Sequence, residues 1–162
     1  MTSYRLILGI IIGIVLSFFS VFFFNMESLI NQIKTNTGSD LLKAITLIVG
    51  ANFKFDIIAF FSGSSTLPGF FAAQLLSWLF IGYISGTIAK GSRRGIISSI
   101  LVVVIVLLIW IILSIISGED LMALFQGNQL TETLGGIFSA LLGAFTGGLI
   151  GGLVSGPYEE YY

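Results

Sequence analysis

The sequence predicts an all-α integral membrane protein: a four-transmembrane-helix bundle with a small extracytoplasmic segment between the first two spans. Three observations carry this reading. Of the 162 residues, 56% are hydrophobic and only 9% are charged, whereas about a quarter of a soluble domain is charged. The apolar residues gather into runs of roughly 20, the length a helix needs to cross a bilayer. Those runs carry glycine at helical spacing, the pattern by which membrane helices come close to one another.

The first span, 6–24, reads LILGIIIGIVLSFFSVFFF and follows Arg5. Its apolar run exceeds the roughly 7–15 residues of a signal-peptide core and no A-x-A-like cleavage site follows, so a retained helix is expected. The second span, 67–89, opens with Leu67-Pro68, and proline suits a first helical turn. Gln74 is its strongly polar member. The third, 96–116, contains no glycine and is dense in Ile, Val and Leu, which assigns it mostly to lipid contact. No soluble domain is expected at either end, so 1–162 reads as a single polytopic membrane domain.

The fourth span, 134–156, is the most patterned part of the chain. Gly135, Ser139, Gly143, Gly147 and Gly151 recur every four residues, beside a second stripe of Gly136, Ala140, Ala144, Gly148, Gly152 and Gly156. Residues at i and i+4 share one helix face, so this helix offers neighbours a broad surface almost free of side chains. Shorter versions occur at Gly9, Gly13 and Ser17 in the first span and at Gly82 and Gly86 in the second. Such faces either close a bundle within one chain or hold another chain as well. With small residues on two adjoining stripes, association with other membrane subunits or with a second copy is expected.

The extracytoplasmic segment, 25–66, holds the ambiguous stretch 41–62, LLKAITLIVGANFKFDIIAFFS. It is long enough to cross, but Asn52, Lys54 and Asp56 interrupt its middle. A central Lys or Asp costs about 2.5–3.5 kcal/mol on insertion scales, and residues two apart on a helix cannot neutralise each other. An interfacial helix, a hairpin or a re-entrant segment therefore costs less than a fifth crossing. Charge bias bears on the same choice. Lys90, Arg93 and Arg94 lie within five positions of one loop and mark it as cytoplasmic. Four spans then place both termini on the cytoplasmic side of a cell membrane, with Arg5 joining the loop and Lys34, Lys43 and Lys54 outside. Five spans would put more of the basic residues inside but bury Lys54. The burial cost decides for four.

The absent residues narrow the chemistry. With no Cys and no His, thiolate nucleophiles and imidazole ligands for zinc or haem are missing. A net charge of −1 supplies no basic field for nucleic acid. No catalytic residue, cofactor or metal site is predicted. Asn52, Lys54 and Asp56 form a possible polar site at the outer surface, weighed against a solvated face. Glu119 and Asp120, ahead of Leu121, Leu124 and Phe125, look like the acidic start of a short amphipathic helix. Trp78 and Trp110 suit interfacial anchoring, though both fall well inside their spans. The expected function is a small non-catalytic accessory or structural subunit of a larger membrane assembly. The alternative is a homo-oligomeric channel or transporter, although Ser139, Thr146 and Ser155 do not form the continuous polar stripe of a water-lined face.

Overall fold

The computed structural model describes residues 3–36, 40–53, 73–118 and 127–157. Their regular structure is entirely helical: α1 Ser3–Asn36, α2 Leu41–Ala51, α3 Ala73–Ala89, α4 Ser92–Ile116 and α5 Gly127–Val154. Apolar segments whose described helices contain no proline have every reason to be helical, because a helix satisfies its backbone groups internally. The ends carry the usual stop signals. Asp40 caps α2 by accepting from the N–H groups of Leu42 and Lys43 at 3.1 and 3.4 Å, satisfying donors that a helix start leaves open. After α5, Gly156 adopts φ +77° ahead of Pro157, a conformation glycine reaches without a Cβ clash.

The expected all-α class is therefore observed among the described residues. Ser92–Ile116 and Glu132–Val154 are long and apolar enough to cross a membrane. Tyr4–Ser20, Leu41–Ala51 and Gln74–Ala89 are shorter apolar helical stretches.

Glycine contacts fix the directions of the helices. Along α5, Gly143, Gly147 and Gly151 meet successively Leu75, Leu79 and Tyr83 of α3, so these two helices run parallel. Gly148 lies against Gly95 and Ser99, and Gly152 against Gly91 and Ser92, so α4 runs opposite to both. In α1, Gly9 faces Ser98 and Gly13 faces Val102, which makes α1 parallel to α4. The result is an alternating bundle. The start of α1, the turn between α3 and α4, and the end of α5 lie together at one end.

Two expectations are refined by the structure. The third span, expected to face mostly lipid, is 33% buried, and its inward face is formed by Val102, Val103, Val106 and Trp110 of α4, each no more than 4% exposed. The stretch expected to lie outside the bundle also enters it. Helix α1 continues to Asn36, and α2 packs against α1 and α4. Its last turn then carries Asn52 and Phe53 into the interior, where both are 0% exposed.

Candidate functional site

Three places bring together the residues singled out above. The first is the contact of α5 with α3 and α4. A Cβ added at Gly82 would sit 2.7 Å from the Ala144 carbonyl oxygen, and one at Gly148 would sit 2.7 Å from that of Gly95. Additions at Gly147 and Gly151 would run into the carbonyl oxygens of Leu79 and Tyr83, and at Gly86 into the backbone of Gly148. Backbone cannot swing aside as a side chain can, so these positions admit only glycine. One stripe of α5 serves α3, and the other lies between α3 and α4, meeting Gly82 and Gly86 of the first and Gly95 of the second. Both packing faces are thus occupied within the chain. Gly135 is buried as well, while Gly9 and Gly13 let α1 settle on the hydrogen-bonded pair Ser85 and Ser98, 2.7 Å apart, and on Val102.

The second place is a node around the end of α2. The Asn52 side chain donates through Nδ2 to the carbonyl oxygens of Ser17 at 3.1 Å and Val49 at 3.3 Å. Its own backbone carbonyl accepts from Nε1 of Trp78 at 2.9 Å. Phe53 stacks on Trp110 and tilts against Trp78, with ring centroids 5.5 Å apart in each pair, within the range of favourable aromatic geometry. Trp110 also lies over Gly50. Asn52 is therefore a buried connector of α1, α2 and α3 rather than an outward polar site, and Trp78 and Trp110 are core rather than interfacial anchors. Lys54, Asp56, Glu119 and Asp120 lie outside the described residues.

Sequence reasoning missed this node. Its available signal was two tryptophans deep inside apolar runs and an asparagine just past a helix end. The oxygens Asn52 Oδ1, Ser20 Oγ, Ser114 Oγ and Ser139 Oγ are buried without a hydrogen-bond partner among the described residues.

The third place is a cavity of about 480 Å³ at the end where the α3–α4 turn meets the end of α5. Lys90, Arg93 and Arg94, the residues read as a topology anchor, line one side with Gly91 and Ser92. Leu153 and Pro157 line the other. Among the described residues the lining thus carries three cations. Lys90 at φ 54° and Gly91 at φ 85° make the sharp reversal. Close contact seats it: a Cβ at Gly152 would lie 2.6 Å from the Gly91 carbonyl oxygen. Gly91 has no side chain with which to cap the first turn of α4, so the positive end of that helix adds to the charge at the cavity.

Fold and geometry together define an all-helical bundle with two helices capable of crossing a membrane and a basic cavity at one end. No known family model, curated protein or solved structure matches the chain.

Proposed function

We propose that the protein is a four-span, multi-pass membrane bundle that acts as a non-catalytic accessory or structural subunit of a larger membrane assembly. The observation that supports this most is its outer surface. Ile7, Ile11, Val15 and Phe19 form an exposed stripe on α1. Val104, Leu108, Ile112 and Ile115 do so on α4, and Phe138, Leu142 and Phe145 on α5. Contiguous apolar surface on three helices is untenable in water and natural in lipid. The alternating helix directions also collect Arg5, Lys90, Arg93 and Arg94 at one end and leave Lys34 toward the other, a distribution that fits the positive-inside rule. In this reading α1, α3, α4 and α5 cross, α2 is re-entrant, and both termini face the cytoplasm.

Because the glycine stripes hold the spans of one chain together, a partner subunit meets the outer apolar faces instead. A channel or transporter built from several copies draws no comparable support, since the glycine-rich face that would line it is covered by α3 and α4. Extraction in mild detergent followed by native mass measurement tests the subunit reading. A second polypeptide at fixed stoichiometry is expected, and a lone monomer at every detergent concentration refutes it. Topology has its own test. Single cysteines at Ser92 and Pro157 should resist an impermeant thiol reagent in intact cells while one at Lys34 reacts, and the reverse pattern overturns the arrangement.

A further inference from the structure

In a helix a serine hydroxyl donates readily to the carbonyl three or four residues back, and this chain uses that bond repeatedly. Ser17 Oγ donates to the carbonyl oxygen of Ile14 at 2.7 Å, Ser99 to that of Ile96 at 3.0 Å and Ser155 to that of Gly152 at 3.1 Å. For Ser20 the carbonyl three residues back is that of Ser17. There the Asn52 side chain intervenes, its Nδ2 donating to that oxygen at 3.1 Å. The Ser20 hydroxyl therefore lies beside the Asn52 amide, and Ser20 Oγ is buried without a hydrogen-bond partner among the described residues.

The amide itself has one sensible orientation. Its Nδ2 faces the carbonyl oxygens of Ser17 and Val49, and exchanging nitrogen for oxygen would set Oδ1 against two groups that only accept. Oδ1 thus points away from both, and it too is buried without a partner among the described residues. The two oxygens do not bond each other, although Asn52 is 0% and Ser20 2% exposed. Burying unmet polar groups side by side is costly, and the cost falls when a small donor joins them.

We propose that one ordered water molecule bridges Asn52 Oδ1 and Ser20 Oγ and so ties the tip of α2 to α1. The water donates to Oδ1 and accepts from the Ser20 hydroxyl, within the two to four bonds usual for buried water. A cation is a poorer occupant. Hard cations take about six or more oxygens, and the carbonyls of Val49, Gly50 and Asn52 already accept from Asn52, Phe53 and Trp78. With the water in place, hydrogen bonds run unbroken from Trp78 on α3 through Asn52 to Ser20 on α1. The chain itself buries both oxygens, so the site stands independently of the membrane reading.

Water-selective, nitrogen-edited NOE and ROE spectra of the full chain, perdeuterated and held in deuterated detergent, test this with water as the probe. Wild type should show cross-peaks from water to the Asn52 Nδ2 protons, with the sign of a long-lived bound molecule. Ser20→Ala removes the hydroxyl, whose exchanging proton imitates water, but leaves Oδ1 and the space around it. The cross-peaks should persist. Ser20→Val fills that space and should lose them while the Asn52 Nδ2 resonances stay in place. Wild type without cross-peaks, or with the sign of freely exchanging solvent, overturns the bound water. Loss in Ser20→Ala reassigns the signal to a hydroxyl bonded directly to Asn52 and overturns the bridge. Persistence in Ser20→Val puts the water elsewhere and overturns the site. Should Ser20→Val fail to fold, wild type and Ser20→Ala still decide between the bridge and the direct bond.

Discussion

The contact of α5 with α3 and the node at the end of α2 fill space by opposite means. Along α5, glycines at 143, 147 and 151 let backbones approach until no Cβ fits. Around α2, the rings of Phe53, Trp78 and Trp110 fill the space among α2, α3 and α4. Trp78 belongs to both regions, because its Cβ would lie 3.0 Å from one built at Gly143 while its ring reaches Phe53. Lipid tails are as apolar as leucine, so helices in a bilayer gain little from burying hydrocarbon and depend on close dispersion contact and hydrogen bonds. One region tolerates no addition and the other no removal.

That contrast sets the largest expected effect. Gly147→Leu inserts a side chain against the Leu79 carbonyl and the Tyr83 backbone. Because backbone must move, destabilisation of about 3 kcal/mol is expected, at the upper end for overpacking. Gly147→Ala should already show much of it, since the first added carbon makes the clash. Unfolding in an SDS titration measures both. If Gly147→Ala is neutral, the helices are not in backbone contact and the comparison between the two regions breaks.

At the node the damage comes from deletion. Phe53→Ala removes a ring that is 0% exposed and packed on two tryptophans. In soluble cores such a change costs about 3–5 kcal/mol, part of it the transfer of hydrocarbon to water. In the proposed membrane setting that part is reduced, so about 2 kcal/mol is expected in the same titration. Quenching of Trp78 and Trp110 fluorescence should rise with the loss. A smaller effect is expected at Trp78→Phe, which keeps an aromatic ring but removes the donor to the Asn52 carbonyl together with part of a fully buried indole. A cost of about 1–2 kcal/mol is expected from the lost hydrogen bond and the lost contacts together. No measurable cost would mean that Trp78 neither bonds Asn52 nor packs in the node.

The two regions also differ in how legible they were. Glycine at every fourth position is a pattern of one helix with itself, so the sequence exposes it directly, and the basic run at Lys90, Arg93 and Arg94 is visible for the same reason. What the stripe touches is a property of several helices. Gly147 looks the same whether Leu79 of its own chain or a separate subunit lies opposite. The node was hidden differently. Asn52 precedes Lys54 and Asp56 by two and four positions and shares their polarity, which drew it to the outside, yet its amide finds carbonyl partners only once α2 turns into the bundle. The cavity was half visible, because its charges lie within five positions while Leu153 and Pro157 come from the far end of the chain.

Helix α4 shows the same limit at single-residue resolution and supplies the finest test. In water, hydropathy separates a core face from an outer one. In lipid both faces are apolar, and the Val102-Val103-Val104 run carries no mark of which side is in. Val103 is 1% exposed and Val104 is 42% exposed. Replacing either by alanine gains the same few tenths of a kcal/mol in helix propensity, so the difference between the two variants reports packing alone. Val103→Ala should cost about 1 kcal/mol through lost contacts in the core. Val104→Ala should stay within about 0.5 kcal/mol of wild type because lipid or detergent fills the space. SDS unfolding midpoints of the two variants decide the matter: equal costs, or a larger cost at Val104, would mean that α4 is rotated and that the aromatic node does not close on the face assigned to it.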